Sequence, residues 1–253
     1  MVLITLLTDF GLGDTYVGQM KGAILAVAPT VTLVDLTHAV PAQDMSAGAF
    51  LLWSAVEPFP AGTVHVAVVD PGVGSARRAV AILSKRGDVF VGPDNGLLWP
   101  AVERLGGCLF AIELTESRFW RGNPSGTFHG RDLFGPVAGH LANAVPLEQL
   151  GRVLDDPHQL RLPAPHGNAG EVVHVDTYGN LITNLPAAKL PANYELRIGD
   201  RRVPRATHYA AVAPGTLVAL IGSAGLLEIS ARNASAAAII GAGRGSRVTI
   251  EET

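Results

Sequence analysis

A single cysteine, Cys108, stands among 253 residues, so neither an intrachain disulfide nor a zinc site built from several cysteines is available. Long apolar runs are missing too: none reaches the roughly 18 residues that a membrane span requires. Charged residues make up only 16% of the chain, and a formal net charge of −3 leaves no basic footprint for nucleic acid. The opening Met1-Val-Leu-Ile-Thr-Leu-Leu7 lacks the basic start and cleavage site of a signal peptide and reads as a first strand. There is no phosphate-cradling P-loop, no G-x-G-x-x-G after a strand, no G-x-S-x-G elbow and no His-x-x-x-His metal pair. A cytoplasmic enzyme or binding protein for a small polar ligand is what these absences leave, with no metal and no cofactor called for.

Glycine and proline, by contrast, are plentiful: 29 and 17 residues, which implies many tight turns between short elements. Apolar runs at Leu3–Leu7, Val31–Leu36 and Val64–Val69 read as strands. Between them, Tyr16–Val27 and Asp44–Val56 read as helices stopped by Pro29 and Pro58. That β-α-β-α-β alternation predicts an α/β fold with a mainly parallel sheet flanked by helices. A hairpin over 79–91, a short helix over 97–105, a strand over 109–114 and a helix over 133–141 follow. The stretch from about Pro146 to Asn168 is rich in Pro, Asp and His and reads as linker. Beyond it, short apolar runs separated by Gly, Pro and Asn predict a smaller all-β, barrel-like domain. The expected division is an N-terminal α/β domain over 1–160, a linker over 161–169 and a β domain over 170–253.

Candidate chemistry gathers where strands end. Asp70 follows the apolar run Val64–Val69, and ligands of open α/β sheets collect at the carboxyl ends of strands. Pro71, Gly72 and Gly74 turn the chain, which lets Arg77 return toward the same point. His129, in Thr-Phe-His-Gly-Arg-Asp132 ahead of a helix, is the natural group for proton movement near neutral pH. Each of these also has an ordinary reading as a turn, cap or loop residue. His38, His65 and His174 lie in or beside strands and receive no role. Asp9 and Asp14 flank a glycine-bearing loop; Asp14 suits a helix cap as well as a ligand contact. In Asp176-Thr-Tyr-Gly-Asn180, a β-turn accounts for the Gly-Asn pair but not for so many hydrogen-bonding groups around one aromatic.

Taken in order, these motifs resemble the S-adenosylmethionine hydrolases (hydroxide adenosyltransferases), relatives of the fluorinating and chlorinating adenosyl halide synthases. The anchors are Thr8-Asp-Phe-Gly11, Val69-Asp-Pro-Gly-Val-Gly74 with Arg77, Phe128-His-Gly-Arg-Asp132 and Asp176-x-Tyr-Gly-Asn-x-x-Thr-Asn184. Gly222-Ser-Ala-Gly-Leu-Leu-Glu-Ile229 and Arg232-Asn-Ala234 complete the set. The resemblance implies hydrolysis of S-adenosyl-L-methionine to adenosine and methionine by an Asp70–Arg77–His129 triad. It implies ribose binding by Asp9, methionine binding by Asp14, Asp176 and Ser223, and Phe128 as a further substrate contact. Tyr178 and Tyr209 would flank the adenine, with Asn180 and the backbone near Ala234 reading its edge. It also implies a homotrimer with sites between subunits. Gln43 and Ala224 stand where the halogenating relatives carry Trp and Arg. Three other readings compete: an adenosyl halide synthase, a non-catalytic sensor of adenosyl ligands, and a metal hydrolase using His129, Asp132 and Asp70.

Overall fold

In the computed structural model, which describes residues 3–252, the chain opens with β1 (Leu3–Thr8), α1 (Tyr16–Val27), β2 (Thr32–Thr37), α2 (Met45–Ala55) and β3 (Val64–Val68). β1 lies between β2 and β3 in parallel register, the arrangement that β-α-β alternation demands. The hairpin β4 (Ala79–Ser84) and β5 (Val89–Pro93) follows, then α3 (Trp99–Arg104) and β6 (Cys108–Glu113). A π-helical turn over Gly130–Phe134 leads into α4 (Gly135–Ala142), and β7 (Arg152–Val153) is the last strand of the sheet. The strand order is β2-β1-β3-β5-β4-β6-β7, with β4 and β7 running opposite to the other five strands.

One face of this sheet buries Ile4, Val66, Val68 and Ile112 against Met20, Ile24 and Val137 of α1 and α4. The other buries Leu7, Ala67 and Phe90 against Leu52 of α2 and Ala101 of α3. β3 is buried along its whole length, which places its carboxyl end rigidly. His65, within it, is wholly buried; Thr5 Oγ1 lies 2.7 Å from its Nδ1, and burial lowers its pKa against the opposing pull of Asp88. It is a core residue. Asp44 caps α2 by accepting from Ala47 N at 2.9 Å, whereas α1 starts at Thr15 with no side-chain cap, so Asp14 has no capping part.

The linker reading of Pro146–Asn168 starts too early. Leu147, Leu150 and Leu154 are buried, and Val153 pairs with Ile112 across β6 and β7, so this stretch belongs to the first unit's core. The chain divides into two compact units between Leu162 and Pro163. In the second, β8 (Ala169–Val175), β9 (Leu181–Pro186), β10 (Tyr194–Ile198), β11 (Arg201–Val203), β12 (Leu217–Ile221), β13 (Leu226–Ala231), the helix α5 (Ala236–Ile240) and β14 (Arg247–Glu252) follow. These strands form one sheet in the order β11-β10-β14-β8-β9-β13-β12. Its edges nearly close: Ala206 N donates to Ala219 O at 2.9 Å, and Ala219 N to Pro204 O at 2.8 Å. Val172, Leu196, Leu227, Ile229 and Ile250 fill the barrel-like interior.

Candidate active site

In the N-terminal unit, Val69 continues the buried strand and Asp70 emerges at its end. Val73 N donates back to Asp70 O at 3.2 Å and Ser75 N to Gly72 O at 3.1 Å, so the Asp-Pro-Gly-Val-Gly turn folds Arg77 over the carboxylate. Arg77 Nε donates to both Asp70 oxygens at 3.0 Å, and Nη2 makes a short bond to Oδ2. The same Nη2 donates to His129 Nδ1 at 2.8 Å. The three predicted residues therefore form one hydrogen-bonded chain. Only 12% of the Arg77 side chain and 6% of the Asp70 side chain remain exposed.

Gly74 makes the meeting possible. Its φ of +77° suits glycine, and a Cβ there would fall 2.3 Å from the Gly126 carbonyl oxygen, so the loop carrying His129 docks directly on this turn. That loop is tied from its other side by Asp132, which is 1% exposed. Its carboxylate accepts from Arg131 at 2.6 and 2.8 Å, from Ser125 N at 2.9 Å and from Arg121 at 3.3 Å. These bonds, Arg131 foremost, hold its pKa down at about 2. An unfolded aspartate titrates near 3.8, so the stabilisation is complete above that pH and lost as pH falls toward about 2. Asp132→Asn is expected to lose roughly 1–2 kcal/mol at pH 7, its arginine partners being partly solvated. Urea unfolding at pH 7 and pH 3 checks this: the gap between wild type and variant narrows in acid, and an equal gap at both contradicts it.

His129 heads the helical segment, where Gly135 N bonds back to Gly130 O in the wider spacing of a π-turn. A guanidinium only donates, so Nδ1 of His129 is the acceptor and the neutral ring carries its proton on Nε2. Burial, reinforced by the Arg77 charge, holds the imidazole below its ordinary value of 6.5. A cavity of about 230 Å³ opens here, lined among others by Asp9, Gln43, Asp70, Thr127, Phe128 and His129. Asp9 Oδ2 accepts from the backbone N of Gln43 at 2.8 Å, and Gln43 holds a left-handed φ of 63°. Phe128 packs edge-on against Phe10 and Tyr16, with centroids 5.6 and 5.3 Å away. Asp14 is exposed and outside this cavity. Asp132 is engaged by its arginines, and no metal-holding group of His, Cys, Asp or Glu forms among the described residues.

In the C-terminal unit a second cavity, about 570 Å³, is lined by Tyr178, Asn180, Tyr209 and Ala234, all four expected from the sequence, together with Arg232 and Asn233. Tyr178 is 79% exposed and Tyr209 45%. The Tyr209 hydroxyl donates to Glu228 Oε1 at 2.8 Å, and burial, then this carboxylate, pushes its pKa up to about 12. Asp176 sits in the adjoining turn; Ser223 lies exposed outside the cavity.

Residues 4–151 match the SAM hydroxide adenosyltransferase N-terminal domain, and residues 170–249 match the C-terminal domain of the same family. The chain belongs to the SAM hydroxide adenosyltransferase family. An (R)-S-adenosyl-L-methionine hydrolase of Salinispora tropica is 40% identical over 254 residues, covering 98% of this chain and 97% of that protein. One from Thermus thermophilus is 41% identical over 256 residues, covering 96% and 97%. A fluorinase of Nocardia brasiliensis is 31% identical over 277 residues, covering 93% and 92%. An uncharacterized conserved protein from Thermotoga maritima superposes with a TM-score of 0.91 at 35% identity, covering 98% and 100%.

For this SAM hydroxide adenosyltransferase family member, sequence reasoning gave no site role to Thr127, Arg232, Asn233 or Glu228. Thr127 and Asn233 carry no signal beyond their neighbourhood. Glu228 does: a carboxylate within the apolar run Leu226-Leu-Glu-Ile-Ser-Ala231 of a fully buried strand requires polar partners, and the hydroxyls of Tyr209 and Ser230 both donate to it.

Proposed function

We propose that this protein hydrolyses S-adenosyl-L-methionine to adenosine and L-methionine by attack of water at ribose C5′. The reading rests above all on the Asp70–Arg77–His129 hydrogen-bond chain bordering a cavity beside Asp9. The bond from water oxygen to C5′ forms as the C5′–S bond breaks, and its electron pair returns to sulfur as a neutral thioether. No acid is needed for the leaving group. Positive charge disperses in the transition state, which a poorly hydrated cavity favours over bulk water.

The neutral His129 presents Nε2–H to the water oxygen, and Arg77 holds the ring in that orientation. With Nδ1 engaged and Nε2 protonated, the Asp70 carboxylate is left to take the proton. Oxygen bonded to carbon becomes strongly acidic before it deprotonates, so a weak base suffices. Positioning water in line with C5′ and sulfur supplies much of the remaining acceleration.

On this reading Asp9 holds the ribose hydroxyls and Phe128 borders the reacting end. Tyr178 and Tyr209 flank the adenine, whose edge meets Asn180 and the backbone at Ala234. Asp14, Asp176 and Ser223 face the methionine end. The assembly that goes with it is a homotrimer with sites between subunits, and the setting is cytoplasmic. Incubating the purified protein with S-adenosyl-L-methionine, with and without chloride, and resolving the products by chromatography is the test. Adenosine and methionine in equal amounts are expected. A chloride-dependent 5′-halonucleoside replaces hydrolysis with halide transfer, and tight adenosine binding without turnover replaces it with sensing.

A further inference from the structure

Asp176 commits its carboxylate to its own turn. Oδ1 accepts from the backbone N–H of Tyr178 and of Asn180, each at 2.9 Å, and Oδ2 accepts from Asn180 Nδ2 at 2.8 Å. Gly179 fixes the turn against the start of α5: its φ is +81°, a Cβ there would lie 2.0 Å from Ser235 Oγ, and its carbonyl accepts from Ala237 N at 2.9 Å. A carboxylate has only acceptors, so the amide of Asn180 must turn its nitrogen toward Asp176. The reverse orientation sets oxygen against oxygen. Asp176 thereby decides which way round the amide stands.

One Nδ2 hydrogen is used in this contact. The other remains, beside an Oδ1 that accepts no hydrogen bond among the described residues and is not sealed from the surface. Asn180 is 7% exposed and lines the cavity that Tyr178 and Tyr209 also line. An acceptor and a donor side by side match the N6 amino group and N7 of adenine, whereas a 6-oxo purine presents acceptors at both places.

We propose that Asp176 is a positioning residue for base selection: by holding Nδ2 it makes Asn180 a reader of 6-amino purines and excludes 6-oxo purines. This rests on the assignment of the cavity to adenine. The test is calorimetric binding of adenosine and of inosine to wild type and to Asp176→Asn. Both nucleosides lack the methionine moiety, so a contact between Asp176 and methionine contributes nothing. Wild type is expected to prefer adenosine by roughly tenfold or more. Asp176→Asn accepts the Asn180 amide in either orientation, so its preference falls toward unity. The same narrowing appears in kcat/KM for S-adenosyl-L-methionine against its hypoxanthine analogue. Equal weakening of both nucleosides, with the preference unchanged, reduces Asp176 to a turn former and overturns the proposal. Wild type that binds no adenosine overturns the adenine assignment itself. Asp176→Ser, whose hydroxyl supports a similar turn, supplies the comparison where the asparagine variant does not fold.

Discussion

His129→Ala lowers kcat for S-adenosyl-L-methionine by roughly 10²–10⁴-fold, the range of a positioned acid–base group, and leaves adenosine affinity nearly unchanged. The imidazole touches Arg77 and the cavity and meets the core only edge-on at the Phe134 ring, with centroids 6.5 Å apart. The pH profile separates this role from a steric one. Protonating His129 places a second N–H at Nδ1 against the Arg77 guanidinium, so the productive form is the neutral ring. Burial and the Arg77 charge hold its pKa below 6.5. Activity therefore stays level from pH 8 to near 6.5 and declines only in more acidic solution, as His129 takes up its proton. In the alanine variant the residual rate loses this acid limb. Steady-state kinetics across pH measures both effects, and an unaltered profile with an unaltered kcat removes His129 from the mechanism.

Arg77→Met strikes stability and chemistry together. The substitution keeps an aliphatic stem but removes the guanidinium that lies over the Phe134 ring, and with it the two donors, Nε and Nη2, that make three hydrogen bonds to an Asp70 side chain only 6% exposed. Leaving one member of a buried ion pair without its partner costs about 3–5 kcal/mol. Turnover falls to background, since neither the carboxylate nor the imidazole keeps its orientation. Asp70→Asn in the Arg77→Met background restores part of the stability and none of the activity. Urea titrations of the single and double variants measure the coupling; independent effects on stability contradict the paired geometry.

The sequence made the elements with local signals legible. α1 and α2 fall between a polar start and a proline stop, and the valine run of β3 could hardly be anything but an interior strand. Asp70 and Arg77 stood out because a turn brings them together within seven residues. His129 stood out by its chemistry and its place ahead of a helix, but nothing local reveals that Gly74 admits the Gly126 carbonyl on which its loop docks. The π-helical turn was invisible: its spacing comes from the packing of Gly130 and Gly135 and the anchoring of Asp132, not from apolar periodicity. β7 is two residues long and surrounded by Pro and Asp, so it passed for linker until its pairing with β6 was in view. β14 does not read as an apolar run, because charged residues occupy its exposed positions while only Val248 and Ile250 are buried.

The triad joins partners of very different separation. Asp70 and Arg77 are neighbours along the chain, while His129 arrives from 52 positions beyond Arg77. Closing so long a loop carries an entropic cost that grows only slowly with length. Segments inserted into the exposed turns between β4 and β6 can therefore lengthen without disturbing the ion pair, provided the Gly126 carbonyl still seats on Gly74. Two-thirds of the machinery travels as a short cassette. The remaining third is registered where the Gly126 carbonyl seats on Gly74 and where Asp132 ties the loop from its other side, and drift between relatives at either place would first be felt as lost turnover.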